Sequence, residues 1–219
     1  MKVLHDVFQR LLEAYGPQQW WPGDSPLEVM VGAVLTQNTS WKNVERAIAN
    51  LKQARALTLD TLHAMSHEEL AELIRPAGYY QLKAKRLKNL LALIADRFDG
   101  EVDELLSLNR TQLRDALLSV NGIGPETADS MVLYAAHQPI FVVDTYTSRV
   151  LKRHGWIQFD ADYREIQELF HMGLAEDTEL FNEYHALLVR VGNQHCRKTP
   201  KCDACPLRAM LPDGGPLEE

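Results

Sequence analysis

Long apolar runs are missing from this chain of 219 residues. No stretch approaches the roughly 18 consecutive apolar residues that a membrane-spanning helix needs, so no membrane partner is expected. The opening segment, MKVLHDVFQRLLEAYG, breaks its apolar positions with Asp6 and Arg10 and lacks the unbroken apolar core of a secretory signal. Cysteine is scarce as well. Cys196, Cys202 and Cys205 are the only three, all near one end, and cannot close a disulfide framework. A reducing, cytoplasmic compartment is therefore expected. Strand-like patterns are nearly absent, since only Ile140 to Val143 reads as a short strand, and there is no repeat or low-complexity linker. What remains is a composition of 46% hydrophobic and 24% charged residues, ordinary for a folded domain. The chain is long enough to bury a core without staples, as one large domain or two small ones.

The net charge of −7 argues weakly against a nucleic-acid partner, but its distribution is uneven. Residues 160 to 183 carry the equivalent of the whole net charge. Residues 75 to 97 hold Arg75, Lys83, Lys85, Arg86, Lys88 and Arg97 against Asp96, and Arg149, Lys152 and Arg153 form a second basic group. A surface that meets phosphates needs local positive charge, not a basic total. Each group taken alone also reads as a solvated helix face.

The apolar pattern is helical nearly throughout, and the class is all-α. Leu4, Val7, Phe8, Leu11, Leu12 and Tyr15 follow a 3.6-residue period that Gly16-Pro17 ends. Ser25-Pro26-Leu27-Glu28 and Ser66 with Glu69 read as capping boxes. A helix begins near Trp41, a long one spans about Tyr80 to Phe98, and Asn109 with Gln112 opens the next. Gly122-Ile123-Gly124 then makes a tight turn, with Pro125 ready as the first residue of another helix. Pro139 breaks that helix, the run Ile140 to Val143 leads to Asp144, and a basic helix, two acidic helices and the cysteine tail follow.

Two segments carry chemistry. In LLSVNGIGPETAD, residues 117 to 129, the Gly-x-Gly turn between helices leaves backbone N–H groups free to hold a phosphate oxygen, although such a turn can also be purely structural. In IFVVDTYTSRVLKR, residues 140 to 153, Asp144 follows an apolar run and opens a basic helix. A helix cap is the ordinary reading of such an Asp, and a capping carboxylate can still face a substrate.

Together these segments resemble the helix–hairpin–helix DNA glycosylase superfamily, of which endonuclease III is a familiar member. LTQNTSW (35 to 41) and RPAGYYQLKAKRL (75 to 87) are similar to that family's DNA-facing segments. The resemblance covers about Leu27 to Arg153 and the cysteine tail. It implies two helical lobes with a DNA cleft between them, one of residues 27–138 and one of 1–26 with 139–219. It implies that Asp144 is catalytic and that Gly122, Ile123, Gly124, Glu126 and Thr127 belong to the DNA-holding hairpin. Lys83, Lys85 and Arg149 would face DNA, and Gln37 and Tyr79 would fill the gap left by an extruded nucleotide.

Where bifunctional members carry a hairpin lysine, this chain has Glu126, and a carboxylate cannot form a Schiff base. WWP at Trp20 to Pro22, LTQNT followed by Trp41, and RPAGYY are similar to the endonuclease III-related 3-methyladenine glycosylases. The base pocket is then expected from Trp20, Trp21, Pro22, Trp41 and Asn193, the last standing where that subgroup has a lysine. Stacked indoles suit a cationic alkylated purine; each Trp alone more often packs a core. The tail, Cys196, Cys202 and Cys205, resembles the family's [4Fe–4S] array with Leu211 at the fourth position, so a cluster is expected with Asp213, His195 or solvent completing it. Zinc bound by three Cys and one His, or no metal, are the alternatives. The resemblance thus implies a monomeric, monofunctional base-excision enzyme acting on damaged double-stranded DNA, cytoplasmic and associated with a bacterial-type nucleoid. A glycosylase for oxidised or mismatched bases and a catalytically silent DNA-structure binder are the rival readings.

Overall fold

Side-chain caps set where most helices begin. The computed structural model describes residues 2–218, and among them twelve α-helices and two single 3-10 turns form, with no strand. The helices are α1 (Lys2–Tyr15), α2 (Pro26–Leu35), α3 (Trp41–Gln53), α4 (Leu59–Ala64), α5 (His67–Leu73), α6 (Tyr80–Arg97), α7 (Val102–Leu106), α8 (Arg110–Leu118), α9 (Pro125–Tyr134), α10 (Thr145–Arg153), α11 (Tyr163–Gly173) and α12 (Thr178–Gln194). The 3-10 turns are Arg75–Ala77 and Arg208–Met210. Ser25, Thr58, Ser66, Asn109, Asp144, Asp162 and Asp177 each accept a hydrogen bond from the N–H three residues on. Each bond satisfies a donor that the first helical turn leaves without a partner. The box of Ser66 and Glu69 is complete. That of Ser25 and Glu28 is half made, because the Glu28 carboxylate turns to Asp24 N–H and to Lys52 at 2.7 Å. Helices α4 and α7 have only 6 and 5 residues, too few to display a helical period in the sequence.

The chain divides into two compact units. One is Trp21–Gln138, holding α2 to α9. Its centre is α2 against α9, where Leu27 to Leu35 and Thr127 to Tyr134 are buried without interruption. Helices α3 and α6 also pack on α2, and α4 and α5 pack on α6. The unit starts at Trp21 and not at residue 27, since the Trp21 ring lies against Trp41 at 4.9 Å and Tyr134 at 5.1 Å.

The second unit joins the residues up to Trp20 to those from Pro139 onward. Here α12 packs on α1 and α10, and α11 on α1. A Cβ on Gly192 would stand 2.5 Å from Cβ of Tyr146, so α12 and α10 approach backbone to side chain. Phe141 stacks on Phe170 at 3.6 Å, with Phe181 and Tyr184 edge-on.

Ile140 to Val143, which reads as a strand, pairs with no other strand among the described residues. The run is extended and buried, and side chains of α11 take the place of a sheet partner. Phe141 N–H donates to His171 Nε2 at 3.1 Å, Gln167 Nε2 donates to Phe141 O at 2.7 Å, and Val143 N–H reaches the Tyr163 hydroxyl at 3.4 Å. Buried backbone groups must be paired, and side chains suffice for so short a segment. This arrangement delivers Asp144 to the start of α10.

Candidate functional site

In the Trp21–Gln138 unit the Gly-x-Gly turn is held from three sides. Gly122 has φ +99°, and a Cβ there would collide with the Arg86 side chain, so both torsion and space require glycine. Ile123 is buried and anchors the turn to the core, so its side chain is no DNA contact. Arg114 of α8 grips fully buried Asp129 of α9 with two bonds, 2.6 and 3.3 Å, which fixes the angle of the two helices. Gly124 precedes α9 without a side-chain cap, and a helix start of this kind is suited to an anionic oxygen. Glu126 stands exposed on that first turn.

Gln37 is not a free probe. Its Nε2 donates to Gly122 O at 3.1 Å and to Thr127 Oγ1 at 2.9 Å, while Arg86 Nη1 donates to its Oε1 at 2.5 Å. With buried Thr127 it forms a bracket behind the hairpin, so the gap-filling role expected from sequence would require these bonds to break. The residue beside it, Asn38, is exposed and left-handed at φ +53°. Tyr79 is left-handed too, at φ +46°, and is 72% exposed. An exposed aromatic in a costly backbone state is the kind of local strain that collects at functional sites. Asn38 escaped the sequence reading, and its signal was an Asn, tolerant of that torsion, in a short link between helices.

Of the six cations in the basic cluster of residues 75 to 97, Arg75, Lys85 and Arg97 are exposed, but Lys83, Arg86 and Lys88 turn inward, and this overturns the expectation of a DNA-facing Lys83. Lys83 is 1% exposed, and its Nζ donates to Leu35 O and Ala77 O, both at 2.8 Å. Burial, with Arg86 nearby, pulls its pKa down to about 8. Lys88 caps the end of α4 through the carbonyls of Leu62, His63 and Met65. Lys85 remains exposed.

Trp21, Pro22 and Trp41 line one cavity of about 230 Å³, together with Gly32, Glu28, Glu45 and Lys52, whose ammonium is paired with Glu28 at 2.7 Å. Trp21 and Trp41 meet edge to face at 83°. With Glu28 neutralised by Lys52, the indole faces and the Glu45 carboxylate are what favour a flat, positively charged guest over a neutral one. Trp20 and Asn193 belong to the other unit and do not line this cavity. There Trp20 is half-buried, and Asn193 is exposed near the end of α12, where its carbonyl accepts from Arg197 Nε at 2.6 Å.

In that second unit Asp144 is the N-cap of α10, with Oδ1 accepting from Thr147 N–H at 2.7 Å. Its Oδ2 lies 3.9 Å from Nε2 of His185 on α12, and the two side chains are 11% and 7% exposed. Burial lowers the His185 pKa, which the nearby carboxylate opposes, so the imidazole is neutral at ordinary pH. A carboxylate held by one oxygen, with a neutral neighbour at the other, keeps its charge available for a cation. Sequence reasoning missed His185, which sits within an otherwise apolar helical face.

Arg149 is also diverted from DNA: its Nε donates to Cys196 O at 2.5 Å, tying α10 to the tail. Arg153 reaches Cys196 Sγ at 3.5 Å and the carbonyls of Arg197 and Lys198. Cys196, Cys202 and Cys205 line one small cavity, and Leu211, at the expected fourth-ligand position, lines it with them. Burial, chiefly, pushes the thiols of Cys202 and Cys205 up. Among the described residues no three His, Cys, Asp or Glu side chains are spaced to hold a metal ion. His195 turns its Nδ1 to Lys201 O, and Asp213 is exposed. A leucine stands where a [4Fe–4S] cluster needs its fourth thiolate, and neither His195 nor Asp213 is placed to supply it, so the tail does not fit the expected cluster. No helix among the described residues is long and apolar enough to cross a membrane.

Comparison with known proteins matches residues 31–176 to the HhH-GPD superfamily base excision DNA repair proteins. The chain belongs to the HhH-GPD superfamily. It is 47% identical over 209 residues, 94% of each chain, to MJ1434 of Methanocaldococcus jannaschii, named as a candidate DNA repair glycosylase. Among solved structures it is similar to the Helicobacter pylori 3-methyladenine DNA glycosylase MagIII bound to 1,N6-ethenoadenine, with a TM-score of 0.75, 30% identity and coverage of 88% and 96% of the two chains. It is also similar to a non-covalent endonuclease III–DNA complex, with a TM-score of 0.84, 25% identity and coverage of 97% and 95%. As an HhH-GPD protein of this kind, the chain is a DNA glycosylase of the base excision repair type, and damaged duplex DNA is its partner.

Proposed function

We propose that the protein is a monofunctional glycosylase that hydrolyses alkylated purines, of the 3-methyladenine type, from duplex DNA. The observation that carries this reading is the cavity of Trp21 and Trp41 with Glu45 at its wall. A purine alkylated at N3 carries positive charge and leaves as a neutral base, so stacking on indoles beside a carboxylate selects it, and little acid catalysis is needed. The likeness to MagIII supports the same substrate class.

In this mechanism the uncapped start of α9 holds a backbone phosphate, and Asn38 and Tyr79 enter the stack where the damaged nucleotide has left. Asp144 stabilises the positive charge that develops on the sugar and orients the attacking water. Glu126 offers no amine to the sugar, so the product is an abasic site in an intact strand.

The test is to incubate the protein with methylated duplex DNA, chromatograph the released bases, and repeat the reaction with borohydride. Release of 3-methyladenine without a trapped adduct is expected. Release of oxidised pyrimidines alone would overturn the substrate class, and a trapped adduct would overturn the monofunctional reading.

A further inference from the structure

Among the described residues Lys83 is the one fully buried lysine, and its ammonium meets two carbonyl oxygens and no carboxylate. Burying a charge without a counter-charge is costly, and an apolar residue of similar length is ordinarily the more stable choice. The two carbonyls are well chosen. Leu35 is the last residue of α2, and Ala77 is the last residue of the 3-10 turn before α6. Three residues beyond Leu35 lies Asn38, and two beyond Ala77 lies Tyr79, the two exposed left-handed residues of this unit's DNA-facing segments. One turn further along α6, Arg86 donates to Gln37 of the first segment. Two cations on one face of α6 thus hold the 36–40 link at its start and middle, and the first of them also holds the link that carries Tyr79.

We propose that Lys83 is a positioning residue that fixes Asn38 and Tyr79 relative to each other, so that both enter damaged DNA as a preformed pair. The ammonium acts as a strut between two chain ends that otherwise share no backbone hydrogen bond. Preforming the pair lowers the ordering cost of reading a lesion and leaves general phosphate attraction unchanged. This inference rests on the DNA-facing roles given above to Asn38 and Tyr79.

The test measures equilibrium binding of the full chain and its variants to an undamaged duplex and to the same duplex with a stable abasic-site analogue. Lys83→Met is expected to bind the undamaged duplex as the wild type does, and to lose about tenfold of the preference for the abasic duplex. Asn38→Ala and Tyr79→Ala are expected to lose a similar preference, and Lys83→Met combined with Tyr79→Ala to lose no more than the worse single variant. Should Lys83→Met fail to fold, Lys83→Gln, which reaches one carbonyl at most, is read by the same criteria. Full retention of the preference overturns the strut, as does an equal loss on both duplexes, which marks a merely structural lysine. If the wild type itself shows no preference, the DNA-facing reading of Asn38 and Tyr79 fails and takes the strut with it. A wild type with the preference and a variant that keeps it sinks the strut alone.

Discussion

Asp144→Asn separates the two jobs that one carboxylate performs. As the cap of α10, Asp144 uses only Oδ1, which accepts from Thr147 N–H at 2.7 Å. An Asn amide oxygen makes the same bond, and Asn and Asp are about equally good caps, so the loss of stability is limited to the charge–dipole part, about 0.3–1 kcal/mol. The charge is a different matter. The side chain is 11% exposed and its second oxygen faces a neutral imidazole at 3.9 Å, so little screens it from a developing sugar cation. Removing one preorganised electrostatic partner of a transition state costs about 2.7–4 kcal/mol, or roughly 10²–10³ in rate. Single-turnover release of base from methylated duplex DNA at saturating enzyme measures this, with a thermal melt and a binding titration on the same preparation. The expected result is a fall of at least about 10² in rate with melting and DNA affinity nearly unchanged. Asp144→Ser, which also caps, should be equally slow. An Asn variant that releases base at the wild-type rate would reduce Asp144 to a helix cap and refute the reasoning.

Gly122→Ala forces a left-handed alanine against Arg86, and a stability loss of about 1–2 kcal/mol or more is expected, with weaker DNA binding; an unchanged melting temperature would show that the turn can relax. His154 and His185 have pKa values lowered by burial, so the folded chain binds fewer protons than the unfolded chain near and below the unfolded histidine value. Their contribution to stability is present above roughly pH 6.5 and is lost as the pH falls; melting temperature should drop on acidification, and His185→Gln should flatten that drop. Elemental analysis should find no four-iron cluster, and a chelator should leave the melting temperature unchanged; four irons per chain would show that the tail rearranges to recruit a ligand other than those its cysteines supply.

Helix starts were legible because caps are local chemistry: Ser66, Asn109 and Asp144 act on N–H groups three residues away. The Gly-x-Gly turn was legible for the same reason. The strand-like run of Ile140 to Val143 misled, because its backbone partners are His171, Gln167 and Tyr163, 20 to 30 positions on and carried by side chains. The places of Lys83 and Gln37 were hidden in the same way. Their partners, Leu35 and Ala77 for one, Gly122 and Thr127 for the other, follow from how α2, α6 and α9 pack, and no local pattern announces them. The exposed Asn38 was hidden by its neighbour, since two adjacent amides offer equal polarity and only the backbone torsion tells which one points outward.

An acidic chain that works on DNA poses an electrostatic problem, and the inward cations sharpen it. Lys83, Lys88, Arg149 and Arg153 all spend their charge on main-chain carbonyls, at helix ends or in the tail. That use is sound physics, because carbonyls at helix C-termini carry partial negative charge and lose their partners on folding. It also means that a count of lysines and arginines along residues 75 to 97 overstates what phosphates meet. On the proposed reading, attraction to DNA near the hairpin falls on exposed cations such as Lys85 and on the start of α9, which has no side-chain cap. Backbone donors carry no net charge, so they attract a duplex weakly at long range and hold one phosphate firmly at short range. On that reading, a protein built this way gives up nonspecific affinity for a bulk polyanion and keeps its binding energy for the geometry of a site, where the hairpin, Asn38 and Tyr79 would all have to fit at once.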